Sequence, residues 1–376
     1  MKKQIYIPSN TGKYACGSIL LSFEDTARRE TLLPEKNIPR RIAVRLYYPC
    51  ERSAAEGQKK ARLFSEHKAA EIRKAYYTDP TKHFNTGDLY ENIPFIKGKR
   101  FPLIIYNHGY MSCIEANTFL CTELASHGYV VASIEHPFES ILTEYPDGSS
   151  VPFIRSLSSR LYDGSVAGGV LRSLSLIMAK GSDREIYRLF DAKFSGYTFM
   201  KERIEEWVKD SLFALSELKK HDIAEITDFS RIGCSGHSFG GATAYRLCMT
   251  HPDIFSCGIN IDGGLFGDYS GMTMTRPFCQ ICCGMNENAV TRSAFGTSAP
   301  AYRLVFRDSA HLSFTDLKLL LPDMPGFGRL PAKAMHKNLC HAHLGFFGRY
   351  LKGRKELPIC RDNPAVIYKE FSPDIK

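Results

Sequence analysis

The sequence predicts an α/β protein in which helices cover both faces of a mostly parallel central sheet. Short apolar runs typical of buried strands alternate with segments of helical periodicity. The clearest case is a strand at 230–235, preceded by an amphipathic helix that starts near Ile204 and ends near 219–220. A glycine-rich turn at 236–240 and a helix of small residues follow this strand. Helix, strand, turn and helix in this order are typical of βαβ units.

The remaining elements extend this alternation along the chain. Apolar runs bounded by turn residues predict further strands at 42–49, 101–107, 129–134, 255–262, 278–283 and 302–306. A helix is expected at 117–126, with Gly128 as a left-handed residue just after its end. A C-terminal helix is expected at 334–351. The order of these elements is that of an α/β domain.

The length of 376 residues exceeds that of a usual domain, yet the chain contains no Pro/Ser-rich linker, repeat or low-complexity tract. We therefore expect residues 1–376 to form a single domain with insertions. Residues 51–99 are polar, charged and partly helical, and predict an insertion rather than core. Residues 140–200 include an amphipathic stretch at 170–178, which predicts a cap or lid, a lipid-facing surface or a plain packing helix.

The net charge of +9 is spread over several lysine and arginine clusters. A solvated surface explains them, and weak attraction to an anionic membrane surface is the alternative. No nucleic-acid motif occurs and no apolar run approaches the length of a membrane span, so neither a nucleic-acid partner nor a transmembrane segment is expected. Residues 1–8 lack the apolar stretch of a signal peptide, which favours a cytoplasmic location unless the chain was trimmed.

Twelve cysteines are scattered through the chain, many of them in apolar runs. Free, buried thiols in a reducing compartment are the favoured interpretation. Cys279 and Cys282 form a C-x-x-C pair, but in the strand expected there they face opposite sides of the sheet. The histidines and cysteine between His336 and His343 lie in a helical segment that faces the core. We therefore expect no metal site and no cofactor.

The segment Gly236-His237-Ser238-Phe239-Gly240 carries the strongest functional signal. It matches the G-x-S-x-G nucleophile elbow, in which a serine on a sharp strand-to-helix turn holds its hydroxyl clear of the backbone. With a strand before it and a helix after it, the motif predicts the α/β-hydrolase fold with cap-like insertions. An incidental serine in a glycine-rich turn is the alternative interpretation.

A serine hydroxyl becomes a nucleophile when a histidine takes its proton and a carboxylate orients that histidine. In α/β-hydrolases these residues follow in the order serine, acid, histidine. Asp262 closes the strand after the nucleophile helix and is the first candidate for the acid, with Asp308 and Asp316 as alternatives. His311 lies just past a strand and is the first candidate for the base.

Other histidines fit the base less well. The 336–343 group is embedded in a helix, and His237 is expected to point away from its neighbour Ser238, which favours a structural role. The oxyanion formed during ester hydrolysis needs backbone N–H donors. The expected donors are the amides of Phe239 and Tyr110, of which Tyr110 follows the strand predicted at 101–107.

Several blocks of the chain jointly resemble the platelet-activating factor acetylhydrolase family, its plasma and type II intracellular enzymes. The blocks that carry the resemblance are 14–17, 45–49, 102–109, 124–132, 135–136, 236–243 and 257–262. The resemblance implies a calcium-independent esterase that removes a short or oxidised sn-2 acyl chain from a phospholipid. Carried over by position, it implies a triad of Ser238, Asp262 and His311, with Tyr110 and Phe239 as the oxyanion donors.

The chain departs from the family pattern in two places. Gly263-Gly264-Leu265-Phe266 stands where the family often has a tryptophan-containing stretch near the acyl pocket, and the segments 51–99 and 140–200 match poorly. Acyl length and headgroup preference therefore stay open. Two other functions also stay open: a broader carboxylesterase or polyester hydrolase of the dienelactone-hydrolase or cutinase type, and a non-catalytic lipid-binding module with the same fold.

Overall fold

The computed structural model describes residues 5–6, 8–76, 84–85, 88–160, 178–194, 197–269, 271–294, 296–320, 326–355 and 360–371. Contacts divide the chain into two compact units, each assembled from separate stretches of sequence. The first unit comprises residues 1–153, 209–231 and 315–322, and the second comprises residues 154–208, 232–314 and 323–376. A single domain over 1–376 stays a prediction.

The strands among the described residues are, in chain order, β1 (Ile5–Tyr6), β2 (Ala15–Arg29), β3 (Pro39–Cys50), β4 (Phe84–Asn85), β5 (Leu89–Glu91), β6 (Phe101–Asn107), β7 (Val130–Glu135), β8 (Leu142–Glu144), β9 (Ser150–Pro152), β10 (Thr227–His237), β11 (Cys257–Ile261), β12 (Phe278–Cys283), β13 (Ala301–Phe306) and β14 (Val366–Phe371). The α-helices of the same residues are α1 (Arg52–Ala55), α2 (Glu66–Tyr76), α3 (Thr118–Ser126), α4 (Leu157–Arg160), α5 (Asp183–Phe194), α6 (Thr198–Leu218), α7 (Phe239–Thr250), α8 (Leu317–Leu320) and α9 (Ala332–Lys352). Short 3₁₀ helices lie at Pro34–Lys36, Asp222–Glu225, Gly284–Ala294 and His311–Phe314.

In the first unit the strands follow the order β6-β7-β3-β2-β5. β6 pairs with β7 in parallel, β3 is antiparallel to both β7 and β2, and β5 is parallel to β2. Every residue of β6 and β7 is buried, as expected of strands covered on both faces. β5 belongs to the segment 51–99, so this segment contributes a strand to the sheet and is more than a peripheral insertion.

In the second unit β10, β11, β12 and β13 pair in parallel, and β14 closes the edge in the antiparallel direction. Gly233 of β10 lies against Phe347 of α9, whereas the next residue, Cys234, contacts Cys248 of α7. Successive residues of a strand face opposite sides of the sheet, so α7 and α9 cover opposite faces. The predicted fold class, a mostly parallel sheet with helices on both faces, is confirmed.

Most predicted elements lie within a few residues of their observed bounds. The strand predicted at 230–235 is longer and runs from Thr227 to His237, and the helix before it begins at Thr198 rather than near Ile204. Gly128 has a φ of 84°, in the left-handed region expected just after the end of α3. The amphipathic stretch predicted at 170–178 lies almost wholly outside the described residues, and a cap or lid at 140–200 stays a prediction.

Two further expectations are that the cysteines are free and buried and that no helix crosses a membrane. All twelve cysteines are buried and unbridged, and the C-x-x-C pair lies in β12, as its sequence predicted. Burial raises the pKa of thiols such as Cys234 and Cys257, which makes them unreactive. Over the described ranges, no helix combines the length and the apolar character that a membrane crossing requires.

Candidate active site

Ser238 occupies the turn between a strand and a helix. β10 ends at His237, α7 begins at Phe239, and Ser238 between them has φ 56° and ψ −121°. A residue with a β-carbon is strained in this region, and such strain is typical of functional turns. The turn is held in place because the Ser238 amide donates to the carbonyl of Ile261 at 2.7 Å. The Ser238 side chain remains half-buried rather than enclosed.

Asp262 and His311 reach Ser238 from neighbouring strand ends. Asp262 follows β11, and His311 opens the 3₁₀ helix His311–Phe314 after β13. His311 Nδ1 lies 2.7 Å from Asp262 Oδ2, and His311 Nε2 lies 2.9 Å from Ser238 Oγ. The structure thus brings the three predicted residues into one hydrogen-bonded chain within the second unit.

The carboxylate of Asp262 is buried and fully hydrogen-bonded. Its Oδ1 accepts from the Cys283 amide at 2.8 Å, and its Oδ2 accepts from the side-chain amide of Asn286 at 2.7 Å. Burial alone would raise the pKa of Asp262, but His311, the Cys283 amide and Asn286 together lower it below its ordinary value. Asp262 therefore stays ionised, as a group that orients a histidine and stabilises its cation must be.

His237 contacts the back of His311. Its Nε2 donates to the main-chain carbonyl of His311 at 3.0 Å, and the two ring centroids are 4.7 Å apart. The sequence favoured a structural role for His237 but gave no partner for it. The position of His237 next to Ser238 in the sequence is the feature that could have indicated its contact with His311.

Two glycines allow the strand ends to approach one another. A β-carbon on Gly263 would lie 2.0 Å from the carbonyl oxygen of Ser238, and one on Gly241 would lie 1.9 Å from Oδ1 of Asn260. Asn260 in turn bonds both the amide and the carbonyl of Gly263. The glycine after the acid is therefore required by the close packing of the turn, a reason the sequence alone did not reveal.

The alternative candidates have other surroundings. The main-chain carbonyl of Asp308 accepts from the amides of Arg329 and Leu330. The carboxylate that contacts His311 is that of Asp262 and not that of Asp308. Asp316 belongs to the first unit and accepts from the Phe119 amide at 3.0 Å. The imidazoles of His336 and His343 are buried in α9, and burial lowers the pKa of each to about 4.

The two expected oxyanion donors lie in different units. Phe239 opens α7, where the first backbone amides have no acceptor within the helix, and its ring packs edge-on against Trp207 at 4.8 Å. Phe266 lies 6.2 Å from the Phe239 ring, so the Gly-Gly-Leu-Phe stretch does supply an aromatic side chain beside the elbow. Tyr110 belongs to the first unit, in the turn after β6.

Buried polar side chains hold the turn that carries Tyr110. His108 Nδ1 lies 2.6 Å from the carbonyl of Gly109, and His108 Nε2 lies 3.0 Å from Ser140 Oγ and 3.3 Å from Glu135 Oε1. The Glu135-His136 pair noted in the sequence therefore lies beneath this turn. Lys68 binds the other oxygen of Glu135 at 3.1 Å, and together with His108 it lowers the pKa of this buried carboxyl to about 2, although burial alone would raise it.

The second unit contains what acyl transfer requires: a partly exposed hydroxyl, an imidazole in contact with it and an ionised carboxylate behind that imidazole. Across the described residues, no three His, Cys, Asp or Glu side chains are grouped as ligands for a metal ion. The chemistry that this arrangement can perform is attack of Ser238 on an acyl carbon, with His311 accepting the proton.

Comparison with known proteins finds similarity to acetylhydrolases and esterases. A family model described as platelet-activating factor acetylhydrolase, isoform II, matches residues 1–148. A curated platelet-activating factor acetylhydrolase of Bos taurus is 28% identical over 186 residues, 45% of this chain and 36% of that protein. The enzyme of the same name from Gallus gallus is 23% identical over 305 residues, 70% of this chain and 65% of that protein.

The first 148 residues of the chain are thus similar to the platelet-activating factor acetylhydrolase family. The chain spans between about a third and two thirds of the length of these curated relatives. A model of the prolyl oligopeptidase family also matches residues 197–273, a range that contains Ser238 and Asp262. A solved structure titled as a ferulic acid esterase from Streptomyces cinnamoneus is similar at a TM-score of 0.77 and 20% identity, covering 96% of this chain and 98% of that one. At this identity the structural likeness shows a shared fold.

Proposed function

We propose that this chain is a serine esterase that hydrolyses the short sn-2 acyl ester of a phospholipid through an acyl-enzyme on Ser238. The observation that carries the proposal is the position of His311, whose two ring nitrogens contact Ser238 Oγ and Asp262 Oδ2. Named relatives support the substrate class, because they include platelet-activating factor acetylhydrolases and a probable 1-alkyl-2-acetylglycerophosphocholine esterase of Arthroderma benhamiae.

In the acylation step, Ser238 Oγ attacks the carbonyl carbon of the ester while His311 Nε2 takes the hydroxyl proton. The resulting imidazolium is stabilised by the ionised carboxylate of Asp262. When the tetrahedral intermediate collapses, the bond to the glycerol oxygen breaks and His311 returns the proton to that oxygen. The lysophospholipid leaves, and the acyl group remains as an ester on Ser238.

In the deacylation step, His311 takes a proton from a water molecule, whose oxygen attacks the acyl-enzyme. Collapse of the second intermediate releases the carboxylic acid and returns the proton to Ser238 Oγ. Each intermediate carries an oxyanion. We assign its stabilisation to the backbone amides of Phe239 and Tyr110, each of which is expected to contribute about 3 kcal/mol, as oxyanion donors do in other serine hydrolases.

The second unit also offers apolar side chains for contact with a lipid surface. Met178, Leu189 and Met285 are large hydrophobic residues that are 74%, 49% and 61% exposed. Met285 directly precedes Asn286, which binds the triad carboxylate. We propose that these residues make a peripheral contact with lipid aggregates, and a cytoplasmic location stays a prediction.

A lipid-ester panel, run in parallel with wild type and Ser238→Ala, tests the proposed function. Wild type is expected to hydrolyse a short-chain sn-2 phospholipid faster than its long-chain analogue, and chelators are expected to leave the rate unchanged. Faster turnover of a water-soluble aryl ester or a polyester than of any phospholipid would favour the broader carboxylesterase. Absence of Ser238-dependent hydrolysis across the panel would favour a non-catalytic lipid-binding module.

A further inference from the structure

The first unit contains a cleft that plays no part in the proposed chemistry. Its volume is about 530 Å³, within the roughly 300–1,000 Å³ of small-molecule sites. Leu20 of β2 and Arg45 of β3, directly paired across neighbouring strands, form part of its lining together with Glu91 of β5. Residues 58–65, Glu115, Glu144, Tyr145 and Gly148 form the rest of the lining. All of these residues belong to the first unit, and none belongs to the triad.

Arg45 lines this cleft with a charged guanidinium that has no close carboxylate partner. Its Nε is buried and has no hydrogen-bond partner among the residues that the structure describes. The carboxylate oxygens recorded near it, on Glu91 and Glu115, are each 3.7 Å from a terminal nitrogen, beyond hydrogen-bond length. Burial disfavours the charge on Arg45, but Glu115 and the other acids around it raise its pKa, so the guanidinium remains charged.

Lys68 explains why the neighbouring acids do not form close ion pairs with Arg45. Its ammonium is buried and lies 2.8 Å from Glu115, 3.1 Å from Glu135 and 3.9 Å from Glu144. Glu115 therefore has a closer cation than Arg45 on its other side. The terminal N–H groups of Arg45, whose nitrogens are each 3.7 Å from a carboxylate oxygen, would gain charge-assisted hydrogen bonds to an anionic oxygen of a ligand.

The edge of the cleft adds further positive charge. Lys59, Lys60 and Arg62 lie together in the segment beside Arg45, and all three are exposed. The ion pair between Lys60 and Asp88 is long, at 3.9 Å, and the pair between Arg62 and Glu66 is exposed to solvent. Four cations around one opening favour a phosphate over a carboxylate, because a phosphate carries more charge and more acceptor oxygens.

The same cleft also contains acids suited to a cation. Glu91 is half-exposed, and Glu144 is partly exposed, with one of its oxygens accepting from Ser65 Oγ at 2.6 Å. Carboxylates bind the N–H groups of a primary ammonium, whereas quaternary ammonium groups prefer aromatic faces. The ring of Tyr145 in the lining is already stacked against Arg41 at 4.0 Å. Phe64, which also contributes to the lining, is buried. The lining thus favours a primary ammonium.

We propose that this cleft binds a small zwitterion that carries a phosphate and a primary ammonium group. The Arg45 guanidinium and the lysines at the edge bind the phosphate, and Glu91 and Glu144 bind the ammonium. The chemistry is that of phosphoethanolamine, either as a free compound or as a lipid headgroup. This binding does not depend on hydrolysis, so the proposal stands or falls separately from the esterase function.

Calorimetric titration of the full chain tests this proposal. Phosphoethanolamine, phosphocholine, inorganic phosphate and ethylamine are titrated into the Ser238→Ala variant, which removes any turnover from the measurement. Phosphoethanolamine is expected to bind at one site and more tightly than the other three probes. Arg45→Gln should weaken its binding at least about 10-fold, as expected for a charged hydrogen bond. Lys74→Gln, a lysine of α2 outside the lining, should leave the affinity unchanged.

Substitutions at the exposed residues Glu91 and Lys59 test the proposal even if Arg45→Gln fails to fold. Glu91→Gln should weaken binding of phosphoethanolamine about 3-fold and leave that of inorganic phosphate unchanged, whereas Lys59→Gln should weaken both. Competition between soluble phosphoethanolamine and vesicles of phosphatidylethanolamine then separates the two sources of the ligand. Equal affinity for phosphoethanolamine, phosphate and ethylamine, or binding unaffected by Arg45→Gln and Lys59→Gln, would overturn the proposal.

Discussion

Each unit of this protein contains a histidine bound to an aspartate, and the two pairs differ in their surroundings. His311 lies 2.7 Å from Asp262 in the second unit, and His136 lies 2.9 Å from Asp210 in the first. The side chain of His311 is 41% exposed, whereas that of His136 is fully buried. The local geometry of the pair is therefore not what distinguishes the histidine proposed as catalytic from the structural one.

The two histidines differ in the partner of their second ring nitrogen and in their access to solvent. The second nitrogen of His311 meets the hydroxyl of Ser238, which can give up a proton, while that of His136 meets the side-chain amide of Asn107. Burial lowers the pKa of His136 to about 3, although Asp210 opposes this effect, so its imidazole stays neutral at physiological pH. An imidazole enclosed in this way can hold a structure together, but it has no access to a substrate.

The carboxylates also differ in their other partners. Asp210 binds Arg40 through two hydrogen bonds, and Arg40 binds Glu30 as well, all with buried side chains. Burial would raise the pKa of Asp210, but Arg40 and His136 lower it far below its ordinary range. Among the described residues, the donors to Asp262 besides His311 are neutral: the Cys283 amide, the Cys283 thiol and Asn286. Asp262 therefore interacts strongly with a proton that His311 gains.

The largest expected effect on activity comes from removing the serine that the proposed catalytic pair activates. Ser238→Ala removes the nucleophile and should lower kcat for a short-chain phospholipid by at least about 10⁴-fold. The free energy of unfolding should change little, because the side chain is small and half-buried. Steady-state kinetics and urea denaturation measure the two quantities. A variant with more than a tenth of the wild-type kcat would rule out the proposed nucleophile.

The structural pair should respond in the opposite way. Asp210→Asn leaves Arg40 and His136 with a neutral partner, and we expect a loss of about 3 kcal/mol in the free energy of unfolding, as when a buried ion pair is broken. The kcat of the folded fraction should stay within about 3-fold of wild type. Urea denaturation at pH 7 and kinetics at low temperature provide the measurement. A large loss of kcat with unchanged stability would contradict the structural role.

Asn286 allows a smaller test of the catalytic pair. Asn286→Ala removes one hydrogen bond to Asp262, so we expect kcat to fall about 10-fold with little change in KM. Because Asn286 helps to lower the pKa of Asp262, the acid side of the pH–rate profile should move to higher pH. The matched control is Asn288→Ala, since Asn288 donates to the carbonyl of Ala179 instead. Equal effects of both substitutions would argue against orientation of the carboxylate.

Asp316, an alternative candidate for the acid, lies in the first unit and is expected to affect stability. Burial raises the pKa of Asp316 to about 8, although the amides of Phe119 and Thr118 oppose the shift. A carboxyl with a raised pKa stabilises the folded state in its protonated form, and this stability is lost as the pH rises from about 4 to about 8. Asp316→Asn, whose side chain stays neutral at every pH, should therefore be more stable than wild type near pH 8. Thermal unfolding between about pH 5 and pH 9 tests this, and a variant with the same pH dependence as wild type would refute it.

Much of the fold could be predicted from the sequence, because strand, turn and helix signals lie close together in the chain. The strand before Ser238 and the strand before Asp262 are continuous apolar runs, and their pairing as parallel neighbours places both residues at the same edge. The approach of His311 to both residues followed from the chain order of the motif. Its catalytic role, like that of Tyr110, stays a proposal.

The missed features depend on contacts between distant parts of the chain. Asn286 and Cys283 touch Asp262 from more than twenty residues away, and nothing local marks them. Lys68 lies in a polar segment that resembles a solvated insertion, and only its three carboxylate partners explain why it is buried. Likewise β5 is too short for its periodicity to be read from the sequence, and its pairing with β2 defines it.

The most direct test of the central claim is the rate at which a fluorophosphonate modifies Ser238, followed by intact-protein and peptide mass spectrometry. Wild type should form one adduct, on Ser238, and His311→Ala should react at least about 10³-fold more slowly because the hydroxyl loses its base. His341→Ala, which removes an exposed histidine of α9, should react at the wild-type rate. Modification of Ser238 at the same rate in His311→Ala as in wild type would contradict the account.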